Sequence, residues 1–290
     1  MRTNGRPSKG ESPVANLRDG RHAEGRPGQH PHHLNDPPLP PLGAAGGRLS
    51  ARGGESEPVS RALYVVAKAP RAGFAKTRLG RVIGDEKAIV LYKAFLRDLA
   101  ARFSKAPFAL GWYVTPPDAW PEFAPLVGGR GRVLFQGEGD LTERQEELFR
   151  GARGRGEERV VLIGSDSPQL TVEVVEQAFR ALDRRDLVFV PTHDGGYCLI
   201  GMRGFHDVLR GIEMSTGTEL DGVLAAARLR GLSVKLMEAT FDVDLAEDLE
   251  RLRKIVPYRP DLGATGDALQ LLGLMGEAPS TDIEEGPERE

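Results

Sequence analysis

A single cysteine, Cys198, stands in the whole chain, so no intramolecular disulfide can form and a thiolate-rich zinc site is excluded. Positive charge is not in excess either. The 39 Lys and Arg face 42 Asp and Glu, for a formal net charge of −3, whereas a nucleic-acid-binding surface is normally strongly basic. No apolar run approaches the about 20 residues that a bilayer-spanning helix needs. The N-terminus lacks the apolar stretch of about 7–15 residues that marks a secretory signal. These absences lead us to expect a cytoplasmic protein with no nucleic-acid partner and no membrane span. None of them sets the oligomeric state.

Aromatic residues are missing from residues 1–58, which instead hold 9 of the 21 prolines and 10 of the 36 glycines. Such a segment cannot bury enough apolar surface to offset the entropy of ordering it, and we expect a disordered N-terminal extension. "HPHH" at 30–33 could hold a metal loosely but reads as a solvated low-complexity tract. Residues 277–290 are acidic and rich in small side chains, the composition of a disordered tail. Residues 59–276 remain, enough for one α/β domain.

Within that domain the apolar pattern alternates between two kinds of element. "ALYVVA" (62–67), "ALGWYVT" (109–115), "RVLFQ" (132–136), "RVVLIG" (159–164), "DLVFVPT" (186–192), "GYCLIGM" (196–202) and "SVKLME" (233–238) read as strands. Helices are expected over 85–103, 141–153, 171–182, 205–211, 217–230 and 245–256. In the first of these, Ile89, Tyr92, Phe95, Leu96, Leu99 and Phe103 share one face. Strands alternating with helices imply a mostly parallel central sheet flanked by helices, in which ligands bind at the carboxyl ends of the strands.

Four polar segments follow predicted strands. After the first comes "KAPRAGFAKTRL" (68–79), which fits neither standard nucleotide fingerprint. A P-loop needs glycine at Pro70 and Ala75, and a dinucleotide turn needs three glycines where only Gly73 is present. It does supply Lys68, Lys76 and Arg78, cations suited to a di- or triphosphate, with Gly73 allowing close backbone approach. A solvated basic loop would look the same. In "LIGSDSPQL" (162–170) Asp166 directly follows a buried strand, where a carboxylate suits a hard cation; a Ser-Asp-Ser-Pro turn and helix cap is the competing account. In "FDVDLAEDL" (241–249) Asp242 and Asp244 are read as pointing to opposite faces of an extended segment, so only one of them is expected to face a shared metal. Asp244 also competes as a helix N-cap. In "THDGGYCLIG" (192–201) Gly195 and Gly196, flanked by His193, Asp194 and Tyr197, make either a ligand loop or a plain hairpin turn.

Taken together and in this order, "KAPRAGFAKTRL", "FQGEGDLTERQ", "LIGSDSPQL", "HDGGYCLIG" and "FDVDLAEDL" resemble the transferase family associated with radical-SAM and selenodomain gene clusters. Its members are also described as arsenosugar-biosynthesis glycosyltransferases. The resemblance spans about residues 61–256 and implies a single GT-A, nucleotide-diphospho-sugar transferase domain. More distantly, the chain is similar to the 2-phospholactate and molybdenum-cofactor guanylyltransferases. What the resemblance implies is a metal-dependent glycosyltransferase with a nucleotide-diphospho-sugar donor and a small-molecule acceptor. Transfer of a nucleoside monophosphate to a phosphorylated acceptor is one alternative, and a non-catalytic nucleotide-binding protein is another. By the same resemblance Lys68, Lys76 and Arg78 hold phosphates, Asp166 and Asp244 bind Mg²⁺ or Mn²⁺, and Gln136 to Asp140 lies near the nucleotide. Leu245-Ala246 replaces the commoner Thr-Pro without removing the ligand. Asp194 is the candidate for orienting or deprotonating the acceptor, beside an acceptor loop of Gly195, Gly196 and Tyr197. "EMSTGTEL" (213–220) matches the family only loosely.

Overall fold

Every second residue of "RALYVVAK" is apolar on each side: Leu63, Val65 and Ala67 pack into one core, and Ala62 and Tyr64 into another. A strand buried on both faces belongs at the centre of a sheet with helices above and below. The computed structural model, which describes residues 61–214 and 216–275, places it there. The expected N-terminal extension with its "HPHH" stretch, and the expected acidic tail, lie outside the described residues.

Seven strands of the described residues form one sheet: β1 (Arg61–Lys68), β2 (Ala109–Thr115), β3 (Arg132–Phe135), β4 (Arg159–Gly164), β5 (Leu187–Pro191), β6 (Tyr197–Arg203) and β7 (Val234–Leu236). Their order is β3-β2-β1-β4-β6-β5-β7. All pairings are parallel except those of β6, which runs antiparallel to β4 and β5. Because β6 is reversed, its first residue, Tyr197, sits at the same sheet edge as the last residues of its neighbours.

Among the described residues eight α-helices cover the faces: α1 (Thr77–Ile83), α2 (Asp85–Phe103), α3 (Trp120–Val127), α4 (Leu141–Gly151), α5 (Val172–Leu182), α6 (Glu219–Leu229), α7 (Ala246–Ile255) and α8 (Gly263–Leu271). Buried residues of α2, α3, α5, α7 and α8 share one core with the sheet, and those of α4 and α6 share the other. The six residues expected on one face of 85–103 are all buried. No described helix is long and apolar enough to cross a membrane.

Two differences from the sequence reading have physical reasons. Residues 205–211 form an irregular segment that ends in a turn, not a helix. Gly204 and Gly211, both at positive φ, bracket the segment, leaving too few residues to repay helix nucleation. Helices α1, α3 and α8 are not apparent from periodicity. Helix α3 carries Pro121 in its first turn and Pro125 inside it, and α8 is anchored from outside itself. Asp98, 5% exposed on α2, accepts hydrogen bonds from Ala264 N (2.9 Å), Thr265 N (2.8 Å) and the Thr265 hydroxyl (2.6 Å).

That anchor is testable. Asp98→Ala removes the partner of two helix-terminal N–H groups and is expected to lower unfolding free energy by about 1–3 kcal/mol. Urea denaturation checks this, with Lys105→Ala, at an exposed position outside the helices, as the comparison of near-zero effect.

Candidate active site

The loop after β1 is shaped by its own backbone. Ala69 N bonds Thr115 O at 2.8 Å, extending the β1–β2 pairing. Phe74 N and Ala75 N then both turn back to Arg71 O, at 3.1 and 3.2 Å. Gly73 sits at φ 72 within that turn, with open space where a side chain would go. It shapes the turn, and Phe74, Ala75 and Lys76 are the loop residues that reach the cleft wall. Lys76 is the one non-glycine residue at positive φ (53°) among the described residues. Such a conformation costs roughly 1–3 kcal/mol and persists only where surrounding contacts enforce it.

Those contacts are evident. The Lys76 side chain is 5% exposed, and its Nζ donates to Asp166 Oδ2 (3.0 Å), Asp244 Oδ1 (2.6 Å) and Val243 O (3.0 Å). All three donor positions of the ammonium are used. Residues separated by 90 and 168 positions in the chain thus meet at the carboxyl ends of β1 and β4 and ahead of α7. Burial alone would favour loss of the Lys76 proton, but Asp166 and Asp244 more than offset it and its pKa is raised. Burial likewise opposes charge on Asp244, yet Lys76, with Arg78 and Lys68 behind it, holds that carboxyl below its ordinary value. Arg78 is half-exposed, with Nη1 at 3.9 Å from Asp244 Oδ2. Lys68 is exposed at the end of β1, and its backbone N and O both bond the Tyr92 hydroxyl at 3.2 Å. Arg71 points elsewhere, pairing with Glu122 at 2.6 Å.

Asp242 departs from expectation. Both Asp242 and Asp244 line the cleft, because residues two apart on an extended segment lie on the same side rather than on opposite sides. Between them Val243 is fully buried, its N–H bonded to Asp166 O at 2.9 Å. The Asp242 carboxyl, hydrogen-bonded by the Ser167 hydroxyl, is pushed up to about 8 by burial first and by the Asp166 charge second.

The cleft encloses about 530 Å³ and lies across the sheet edge, so residues from both helical layers line it. Gln136, 6% exposed, spends its amide on the protein: Nε2 donates to Tyr113 O (2.7 Å) and Oε1 accepts from Arg144 (3.4 Å). Asp140 is the N-cap of α4 in a reciprocal box with Glu143, and it also lines the cleft. Tyr197 donates to Gln145 Oε1 at 3.0 Å. Arg144, Gln145 and Glu219 belong to this wall and were not singled out from the sequence. The only signal for them was their place in the motifs "LTERQ" and "EMSTGTEL".

Residues 192–197 form the hairpin turn between β5 and β6, with Gly195 N bonded to Thr192 O (3.2 Å). Asp194 Oδ1 closes that turn by accepting from the Thr192 hydroxyl (2.6 Å) and Gly196 N (3.3 Å). Asp194, Gly196 and Tyr197 line the cleft. Gly195 serves packing instead: a Cβ there would lie 2.0 Å from Gly217 O. The close approach docks the turn on the start of α6, where Leu220 N bonds Gly195 O at 3.3 Å. His193, exposed, lines a smaller adjacent cleft that shares Arg78, Asp194 and Asp244 with the first.

No cluster of three or more His, Cys, Asp or Glu side chains is arranged to hold a metal among the described residues. The donor set nevertheless suits one kind of ion. Mg²⁺ commonly binds through one or two carboxylates, with water and substrate phosphate completing its shell. Asp166 Oδ1 and Asp244 Oδ2 are the oxygens of the pair that Lys76 does not take.

The family profile for an "uncharacterized protein conserved in bacteria", DUF2064, matches residues 99–216. A crystal structure from Desulfovibrio desulfuricans G20, described as a "putative nucleotide-diphospho-sugar transferase", is 30% identical, with a TM-score of 0.67 over 74% of this chain and 98% of that one. The sheet and its flanking helices therefore have the nucleotide-diphospho-sugar transferase fold. Two further structures are a nucleotidyl transferase from Methanothermobacter thermautotroptrophicus and a CMP:2-keto-3-deoxy-manno-octonic acid synthetase complexed with CTP. The first is 14% identical (TM-score 0.45, 67% of this chain, 96% of that one) and the second 10% identical (0.46, 69% and 99%). At that similarity neither carries weight beyond the first. A comparison with curated proteins finds no match.

Two outcomes are expected. Gly195→Ala forces a side chain onto Gly217 backbone at positive φ and should cost roughly 2–4 kcal/mol in a denaturant titration. Asp242 keeps its proton in the folded state to about pH 8 but loses it near pH 4 when unfolded. Its contribution is therefore complete below about pH 4 and lost as pH rises toward 8. Asp242→Asn should remove that component, so the stability difference between variant and wild type grows in the variant's favour from pH 4 to 8.

Proposed function

The chain belongs to the DUF2064 family of uncharacterized bacterial proteins, and we propose that it is a metal-dependent glycosyltransferase that takes a nucleotide-diphospho-sugar donor. Within that family we group it, on its five ordered motifs, with the arsenosugar-type transferases. The observation that carries the reading is the convergence of Lys76, Arg78, Asp166 and Asp244 on one cleft. The description of the Desulfovibrio protein supports the donor class.

Lys68 and Arg78, exposed and half-exposed at the cleft mouth, bind the donor's phosphates. Lys76 has its charge held in place by two carboxylates and a carbonyl, so it adds a fixed positive field with no reorganisation when charge builds on the leaving group. Asp166 and Asp244 would hold a divalent Mg²⁺ or Mn²⁺, which supplies neutralisation of the departing diphosphate. An acceptor hydroxyl oxygen bonds to the anomeric carbon while the bond from that carbon to the phosphate oxygen breaks with its electron pair. The hydroxyl proton passes to Asp194, whose Oδ1 is occupied by the turn and whose Oδ2 serves as base.

Binding and product analysis test this. Asp166→Asn should weaken Mn²⁺-dependent binding of the preferred nucleotide sugar by about tenfold or more, read as loss of its thermal shift. Unchanged binding would remove the metal assignment. Turnover should release a nucleoside diphosphate, and release of pyrophosphate would turn the reading to nucleotidyl transfer on the same site.

A further inference from the structure

Glu219 is only 4% exposed, and glutamate is almost never buried that deeply without a partner. Its Oε1 accepts from Thr216 N at 2.7 Å, but its Oε2 is buried and meets no hydrogen-bond donor. The residue lines the main cleft. Arg144, on the same wall, carries a complementary deficit: its Nε is buried without an acceptor. Neither residue is needed by the Lys76 cluster, and both belong to the helical layer of α4 and α6.

An unpaired buried polar atom is costly, and in a cleft wall the missing partner is most simply a ligand atom. The two deficits define its chemistry. A carboxylate oxygen can only accept, so the ligand must bring a hydrogen. A guanidinium N–H can only donate, so the ligand must also bring a lone pair. Hydroxyl groups do both, and a polyol offers several. A base finds a different surface, since Phe74, 44% exposed on the cation-bearing loop, is the exposed aromatic side chain of the cleft. Glu219 has little freedom to swing out, because Gly195 and Gly217 bring the hairpin turn and the start of α6 into backbone contact.

We propose that Glu219 and Arg144 bind the hydroxyl-bearing part of the nucleotide-activated donor, with Glu219 Oε2 accepting from a hydroxyl and Arg144 Nε donating to one. This rests on the donor class proposed above. The hydroxyls can come from the ribose or from the transferred sugar; the chemistry is shared.

The test compares wild type with Glu219→Gln, which keeps an oxygen for Thr216 N but loses the charged acceptor. Calorimetry with Mn²⁺ measures pyrophosphate, then ADP, CDP, GDP and UDP, their 2′,3′-dideoxyribose forms, and their glucose esters. Pyrophosphate should bind both proteins equally, which also shows that the variant is folded. The glucose ester of the best-bound nucleotide should bind the variant about tenfold or more weakly. If the loss is already present in the nucleoside diphosphate and absent in the dideoxy form, the ribose is the source; if it appears only in the ester, the sugar is. Equal binding of every probe by both proteins overturns the assignment of Glu219 alone. So does a loss for one base that persists in its dideoxy form, which would place a base edge there. A wild type that binds pyrophosphate but no nucleotide, or binds nothing, overturns the proposed function and this inference with it. Arg144→Gln should reproduce the ester's weakened binding, and ester affinity at the wild-type value overturns its part.

Discussion

The arrangement depends on one ammonium group. Lys76 Nζ is buried, fully bonded, and shared by Asp166, Asp244 and the Val243 carbonyl. Taking away either side of such a contact strands a charge in a poorly solvated place, which makes it an all-or-none device. It draws the loop after β1, the loop after β4 and the segment before α7 to one point, and it holds Lys76 in a backbone conformation that a side chain ordinarily avoids. The same contact sets the electrostatics, because the carboxylates keep the lysine protonated and the lysine keeps Asp244 ionised.

Around that point the fold supplies a cleft with two dissimilar walls. On one side of the sheet edge stand the cations and carboxylates that suit phosphate chemistry. On the other, α4 and α6 present Arg144, Gln145 and Glu219, polar groups that suit neutral, hydroxyl-rich matter. Reversal of β6 makes this possible, since it brings the hairpin turn and Tyr197 to the edge where the parallel strands end. A nucleotide-activated donor is itself two-sided in this way, charged in the middle and polyhydroxylated beyond.

Most strands and the long helices were legible because their cause is local. The apolar alternation of 62–67 and the single face of 85–103 are properties of short windows, and burial follows them. The bracketed segment at 204–211 and helices α3 and α8 were not legible, because glycine conformation, tolerated prolines and a remote aspartate decide them. At the site, the residue types of Lys76, Arg78, Asp166 and Asp244 and their places after strands could be read directly. The inward use of Gln136 and the packing role of Gly195 could not, since each depends on a neighbour distant in sequence; the capping role of Asp140, by contrast, is written locally in its Asp-x-x-Glu pattern with Glu143.

By itself the sequence determined the α/β class, the mostly parallel sheet and the set of charged residues at the strand ends, because periodicity and strand-end position are encoded within a few residues. Tertiary structure alone decided that Lys76 stands between Asp166 and Asp244, and that Glu219 and Arg144 are left with unmet hydrogen-bonding capacity. The reason is distance along the chain. A contact between residues 90 or 168 positions apart, or the absence of one, is fixed by how the layers close over the sheet, and no local window carries that information.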